Sequence, residues 1–291
     1  VLWIYVVILA VVQGLAELLP ISSSAHVIIA AKLLHENMST PANALLLVML
    51  HTGTMFAVIV YFWRQWVDTF FSTREAFLRF VRMAFVACLM SGVIAVPLVL
   101  MVEHILSHGN HHAQIEALFN KLNWIAPALA AVGILILWAG LREARNPETQ
   151  TDARRREVTW PQAVIMGILQ GFAIPFRGFS RSGSTISAAL LAGGDRVPVE
   201  SFSFAIVVAI TPLAIARELY RLFHSTAQAG THINLASALA PSLLGMICAF
   251  FAGLLALKWL SRWLEQGRWY WFGIYCLAVS VVATVLYFHG W

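Results

Sequence analysis

Charge is what this sequence has least of. Asp, Glu, Lys and Arg make up 11% of its 291 residues, where a soluble domain carries about 25%. That scarcity excludes an ordinary soluble globular domain. Among the carboxylates, Glu17 alone lies deep in an apolar run, while Glu103, Asp195 and Glu200 sit at segment ends. Cysteine is scarce too. Cys88, Cys248 and Cys276 are too few and too scattered for a disulfide framework or a zinc site. No lysine or arginine precedes Lys32, so the N-terminal apolar run lacks the charged region that opens a signal peptide. The net charge of +5 is not a nucleic-acid signature, because the arginines fall in short loops where they orient spans.

What the chain has instead is apolar length. It is 60% hydrophobic, and runs of about 20 residues, enough to cross a bilayer core, recur throughout. Six read as full spans, at roughly 42–63, 80–103, 122–141, 201–220, 235–260 and 270–289. Trp63, Trp66, Trp160 and Trp271 near their ends fit interfacial belts. Two further regions, 1–34 and 160–196, start apolar, break into small polar residues and turn apolar again. They resemble each other: "VVQGLAELLPISSSAH" (Val11 to His26) and "ILQGFAIPFRGFSRSGST" (Ile168 to Thr185) share Gln-Gly, an alanine, a proline and a serine cluster. Gln13 pairs with Gln170, and Ser22 to Ala25 with Ser180 to Gly183. Each broken region is followed by three spans.

Sidedness supports the repeat. Arg64, Arg74, Arg79 and Arg82 occupy one loop, Arg142, Arg145, Arg154, Arg155 and Arg156 a second, and Lys258, Arg262 and Arg268 flank a third. Arg217 and Arg221 run against this bias without outweighing it. Placing the three basic loops in the cytoplasm requires both broken regions to return to the side they entered from, with both termini outside. The predicted fold is therefore an all-α polytopic membrane protein with six transmembrane helices and two re-entrant helix-loop-helix segments. The halves, 1–141 and 159–291, form an inverted-topology repeat joined by a solvated linker over 142–158. In such folds the binding site lies near the midplane, where broken helices meet.

Arg181 lies in the second broken region, where a charge costs roughly 2.5–3.5 kcal/mol on insertion scales. Either it pairs with Glu17 or reaches an interface, or it binds an anion. Arginine's planar fork matches phosphate oxygens. Gly178 and Gly183 would admit backbone amides beside Ser180, and the hydroxyls of "SGSTIS" (Ser182 to Ser187, Thr185 among them) can cap a following helix whose N-terminus favours negative charge. Glu17 and Gln13, four residues apart, share a helical face. Besides a structural pair with Arg181, Glu17 could act as proton acceptor or, with Gln13, hold Mg²⁺ in the sparse mode that water and substrate phosphate complete. Ser22, Ser23 and Ser24 follow Pro20 as a cap or as reactive hydroxyls, and His26 stands three residues beyond Ser23, where a general base or phosphate ligand would sit. His51-Thr52-Gly53-Thr54 reads as a packing patch with side chains bonded back to the helix, and His104, His108, His111 and His112 as a solvated loop.

With these residues in view, the chain resembles the undecaprenyl-diphosphate phosphatase family linked to bacitracin resistance. "QGLAELLPISSSAH" (Gln13 to His26) is similar to the family's first motif, and "RGFSRSG" (Arg177 to Gly183) to its second. "LHTGTMFAVIVYFWR" and "ESFSFAIVVAITP" also look like family stretches. Arg177 stands where the family has proline, with Pro175 two residues earlier. The resemblance implies an enzyme of the bacterial cytoplasmic membrane, its site open to the outer face. It would remove the terminal phosphate of undecaprenyl diphosphate with a divalent cation, Mg²⁺ or Ca²⁺, and so recycle the lipid carrier of cell-wall synthesis. Carried across, Glu17 and Gln13 would handle metal or proton. Ser23 and His26 would be nucleophile and base or phosphate ligands, and Ser180, Arg181 and Ser182 would hold the diphosphate. Ser23, His26 and water all stay open as nucleophile, and a homodimer is an open alternative. So are a transporter of a polyprenyl-phosphate carrier and a paralogue acting on another lipid diphosphate.

Overall fold

The computed structural model describes residues 2–34, 41–107, 122–145, 157–228 and 235–289. The described residues form ten α-helices and no strand. They are α1 (Leu2–Leu18), α2 (Ser23–Leu33), α3 (Pro41–Thr69), α4 (Arg74–Ser107), α5 (Leu122–Arg145), α6 (Trp160–Ala173), α7 (Arg181–Leu191), α8 (Arg196–Gln228), α9 (Leu235–Glu265) and α10 (Tyr270–Phe288). Six of them, α3, α4, α5, α8, α9 and α10, are long and apolar enough to cross a membrane. In none is more than 50% of the apolar window buried within the chain. Leu213 and Phe288 stay 74% and 80% exposed, as lipid-facing side chains would be. The chain is a polytopic helical membrane protein.

The helices outrun the apolar runs that announce them. α4 starts at Arg74 and α5 continues to Arg145, so the first residues of the expected linker are helical. Hydrocarbon thickness limits the apolar stretch, while the hydrogen-bonded turns continue into the polar layer. The rest of the linker, 146–156, and His108, His111, His112, Arg154, Arg155 and Arg156 lie outside the described residues, while His104 is exposed on α4.

Both broken regions are a helix, a gap and a second helix. In each, the first helix stops two residues before a proline: α1 ends at Leu18 before Pro20, and α6 at Ala173 before Pro175. Proline has no N–H to continue the ladder of helical hydrogen bonds and its ring crowds the preceding turn, so the helix ends here, although Ile174 before Pro175 itself keeps helical dihedrals. The second helices, α2 and α7, have 11 residues each. At 1.5 Å per residue each is about 16 Å long, too short to cross alone. The gaps differ: four residues (19–22) against seven (174–180). The paired positions Ser23 and Arg181 each begin the second helix.

By contacts, the chain divides into two compact units. The first comprises Val1–Leu18, Ser23–Trp63 and Val207–Leu260. Its core joins Val6, Leu9 and Ala10 of α1, Val27 and Ala31 of α2, Leu46 and Leu50 of α3 and Ala249 of α9. α3 and α9 approach closely at Gly53, where a Cβ would stand 2.3 Å from the Met246 carbonyl oxygen. Thr52 Oγ1 donates to the Val48 carbonyl and Thr54 Oγ1 to that of His51, so this stretch is the packing and back-bonding patch expected of it.

The second unit comprises Leu19–Ser22, Arg64–Ile206 and Ser261–Trp291. Within it α10 packs on α5, α4 on α6, and α7 on both α5 and α6. Several of its internal polar groups pair with one another. Ser91 Oγ donates to the Gly167 carbonyl and accepts from Gln170 Nε2. Trp269 Nε1 donates to Ser187 Oγ at 2.9 Å. Arg196 pairs with Glu143 in a largely buried contact and donates to the Glu265 carbonyl. Trp66 departs from the expected belt. It is 6% exposed, its indole N–H donating to Ser201, whereas Trp63, Trp160 and Trp271 are exposed. A tryptophan near a span end packs inward when a hydroxyl inside can take its N–H. The Gly53→Val variant is expected to lose about 1–3 kcal/mol or more through overpacking, measured as a lowered Tm in detergent.

Candidate functional site

Three elements of the first unit deliver side chains to one oxygen atom. Gln13 and Glu17 stand one turn apart on α1, and Gln13, 1% exposed, donates its Nε2 to Glu17 Oε2 at 3.0 Å. Ser23, at the start of α2, donates its Oγ–H to the same Oε2 at 2.5 Å. His51 of α3 places Nε2 3.7 Å from that oxygen. Two hydrogen-bond donors thus meet on one oxygen, with a histidine beside it. Gly14 allows this arrangement, since a Cβ there would stand 2.6 Å from that of Ala252 on α9. The structure thus brings together Gln13, Glu17 and Ser23, all singled out in the sequence. His26 and Ser24 are half-buried on α2. His51 is the addition. Its cue was the one applied to Arg181: a polar side chain in mid-span is costly and needs a reason.

The gap after α1 holds one strained residue. Ser22 is buried and adopts φ 68°, the left-handed region that a side chain rarely occupies. Such conformations cluster where surrounding structure dictates them, often at functional sites. Ser22 immediately precedes Ser23, so the strain lies beside the Ser23–Glu17 contact.

The second broken region builds a helix start. Ser180 caps α7, its Oγ accepting from the Gly183 amide at 3.2 Å. The helix therefore begins at Arg181, one residue before the "SGSTIS" expected to cap it. Arg181 thus stands in the first turn, where the helix dipole is positive and a cation is unfavourable by about 0.3–1 kcal/mol. Ser184 and Thr185 donate to the Arg181 carbonyl, and Thr185 also contacts Ser203 Oγ at 2.7 Å. Ser182, Gly183, Ser184 and Thr185 are buried. Gly178 has φ 104°, and a Cβ on it would meet the Ile125 carbonyl oxygen at 2.6 Å. A Cβ on Gly183 would stand 2.7 Å from Ile136 Cδ1 and 3.1 Å from the Pro20 carbonyl oxygen. These glycines let the break of the first region and the start of α7 share one unit, with Cys276 Sγ donating to the same Pro20 carbonyl. Arg177 is half-buried in the gap before α7.

A second internal carboxylate was read as a segment end. Glu200 is 3% exposed on α8 and accepts from Ser261 Oγ at 2.6 Å. α8 starts at Arg196, which puts Glu200 more than a turn inside the helix.

Six apolar spans and two interrupted helices, one bearing a carboxylate and a hydroxyl in contact and the other an arginine in its first turn, define an integral membrane protein with polar groups at two helix breaks. The chain belongs to the family described as bacitracin resistance protein BacA, which it matches over residues 6–282. It is similar to undecaprenyl-diphosphatase 2 of Acinetobacter baylyi, 48% identical over 285 residues that cover 97% of each chain. It is similar to the undecaprenyl-diphosphatase of Desulfatibacillum aliphaticivorans at 34% identity over 98% of each chain. With that of Rhodopirellula baltica it shares 30% identity over 97% of each.

Replacing Ser22 by glycine relieves the left-handed backbone. The Ser22→Gly variant is expected to gain about 1 kcal/mol in stability, measured as a raised Tm in detergent; an unchanged or lower Tm would contradict the strain.

Proposed function

We propose that this chain hydrolyses undecaprenyl diphosphate to undecaprenyl phosphate and inorganic phosphate, recycling the lipid carrier of envelope polymers. The observation that carries the reading is Glu17 Oε2 accepting from Ser23 Oγ at 2.5 Å, a nucleophile and base in contact. The names of the relatives agree with it. Arg181 at the positive end of α7 supplies a cation where the helix itself favours an anion.

In the proposed sequence, Ser23 Oγ attacks the terminal phosphorus while its proton passes to Glu17. The Oγ–P bond forms and the bond from phosphorus to the bridging oxygen breaks, so the lipid departs as its monophosphate. Water then cleaves the Oγ–P bond, inorganic phosphate leaves and Ser23 recovers its proton. Charge in such a transfer spreads over the phosphoryl oxygens, so positioning and electrostatics dominate. Arg181 balances that charge, and Arg177 adds a second cation in the preceding gap. His26 is a phosphate ligand or an alternative base.

A divalent cation, Mg²⁺ or Ca²⁺, belongs to the proposal. Among the described residues no group of three or more His, Cys, Asp or Glu could hold a metal. Glu17 is the single carboxylate of its cluster, which fits a cation bound by one carboxylate and completed by water and substrate phosphate. Glu17 and the amide of Gln13 would hold it, and it would neutralise phosphoryl charge when bound.

We further propose that the broken regions are re-entrant in an inverted repeat, with the site open to the outer face of the bacterial cytoplasmic membrane. The rival is a transporter of the same lipid, which inverted repeats with broken helices also serve. A transporter needs the anion grip of Arg181 and no nucleophile.

Phosphate release from undecaprenyl diphosphate by the purified protein with Mg²⁺ tests the reading. Arg181→Ala is expected to lose about a hundredfold or more in kcat, as when one charge-stabilising donor is removed. Ser23→Ala is expected to lose release equally. Wild-type protein that releases no phosphate, or lipid movement in vesicles that survives Ser23→Ala, would favour the transporter.

A further inference from the structure

We propose that the second unit holds a binding site for the headgroup of an aminophospholipid, in the cavity where the ends of α3, α4 and α8 meet. The ammonium sits over an aromatic floor beside Asp68, and the phosphate is taken by Arg79. The proposed hydrolysis uses none of these residues, so the site stands apart from it.

The cavity has a volume of about 250 Å³, and every residue lining it belongs to the second unit. Its walls come from the end of α3, the starts of α4 and α8, and Glu157 and Val158 ahead of α6. One apolar span ends at Thr69, and two others begin at Arg74 and Arg196. Span ends stand at the headgroup layer, outside the hydrocarbon core. Trp160, two residues past Val158, is exposed there as an interfacial tryptophan would be. The volume is below the roughly 300–1,000 Å³ of pockets that enclose a drug-sized ligand. It suits a headgroup whose chains stay in the bilayer, and exposed Phe71 and Phe77, packed against each other beside the floor, give those chains an apolar surface.

The floor and rim define the headgroup. Phe70 and Phe80 stack with ring centroids 4.3 Å apart, and Phe202 meets them edge-on at 6.4 and 6.1 Å. Aromatic rings attract an ammonium. On the rim stand two carboxylates, Asp68 and Glu157, against the single guanidinium of Arg79. Arg79 pairs with Glu157, which leaves Asp68 as the charge to be balanced. Asp68 is exposed in the last turn of α3, where the helix dipole is itself negative and favours a cation. Among the described residues, the side chains of Gln65, Asp68 and Thr69 make no hydrogen bond or ion pair, whereas Ser201, on the same wall, is taken by the Trp66 N–H. Arg79 is largely exposed, and a guanidinium has five N–H donors, more than one carboxylate uses. A simple cation would match Asp68 and the rings and leave those donors idle. A purely anionic headgroup would match Arg79 and meet Asp68 as a like charge. Adjacent ammonium and phosphate match both.

The test uses the full chain in detergent, stripped of lipid and checked by native mass spectrometry. The probe is dioctanoyl phosphatidylethanolamine and the readout is Tm, which rises when a ligand binds the folded state. Wild-type Tm is expected to rise saturably with this lipid, and less with dioctanoyl phosphatidylglycerol, which has the phosphate and no ammonium. Asp68→Asn, an exposed change that relieves a charge at a helix C-terminus, is expected to keep its unliganded Tm. It is expected to weaken the apparent Kd for the ethanolamine lipid about tenfold, the scale of a hydrogen bond to a charged group. An equal response to both lipids, an undiminished response in Asp68→Asn, or none in the wild type would overturn the site. Saturation by phosphoethanolamine alone at the same concentrations would overturn the lipid as its source. Lipid that resists stripping is identified by its mass. Phosphatidylethanolamine kept by the wild type and lost from Asp68→Asn upholds the proposal, and any other lipid, or equal retention, overturns it. Each readout is independent of phosphate release.

Discussion

A backbone that leaves the helix within an apolar layer has to find partners for the amides and carbonyls it uncovers, and both interrupted helices of this chain are arranged around that requirement. Pro20 and Pro175 end α1 and α6. A short run of hydroxyls comes after each proline, because serine and threonine can satisfy a helix start without adding net charge. Ser180 caps α7 through the Gly183 amide, and Thr185 folds back on the Arg181 carbonyl. The same groups that make a break tolerable are the ones a phosphate would use: hydroxyls, a helix N-terminus and small residues.

The requirement also explains where the charges stand. Arg181 and Glu17 are the costly residues of their segments, and each lies next to a break. Glu17 is offset locally, by the Gln13 amide, the Ser23 hydroxyl and the His51 ring about one oxygen. Arg181 is placed against the dipole of its own helix, an arrangement that gains when negative charge arrives. The first region thus gathers donors on a carboxylate, and the second places a guanidinium at a helix start. Aligned by sequence, Ser23 and Arg181 are each the first residue of an 11-residue helix, a hydroxyl in one and a guanidinium in the other.

Close helix contacts hold this frame. Gly14 and Gly53 bring α1 and α3 against α9, and Gly183 admits the Pro20 carbonyl and Ile136 beside the start of α7. In lipid there is little hydrophobic force between helices, and small residues at the contact supply van der Waals packing instead. Elsewhere buried polar groups do similar work: Arg196 with Glu143, Glu200 with Ser261, and Trp66 with Ser201.

Composition, apolar length and two short motifs were enough to read an all-helical membrane chain, six spans, two breaks and the grouping of Gln13, Glu17 and Ser23, because each depends on neighbours within a turn or two or on the cost of polarity in an apolar run. Helix ends were less legible, since turns continue past the hydrocarbon boundary, as at Arg74 and Arg145. What only the tertiary structure decided is which side chains from separate helices face one another. His51 looked like a packing residue because nothing within α3 shows that Glu17 lies across from it. Trp66 looked interfacial because Ser201 is 135 residues away along the chain. The buried state of Glu200 depended on Ser261, contributed by another helix. Local pattern registers the price of a polar group in an apolar segment; the partner that offsets it comes from elsewhere in the chain, and only folding brings it near.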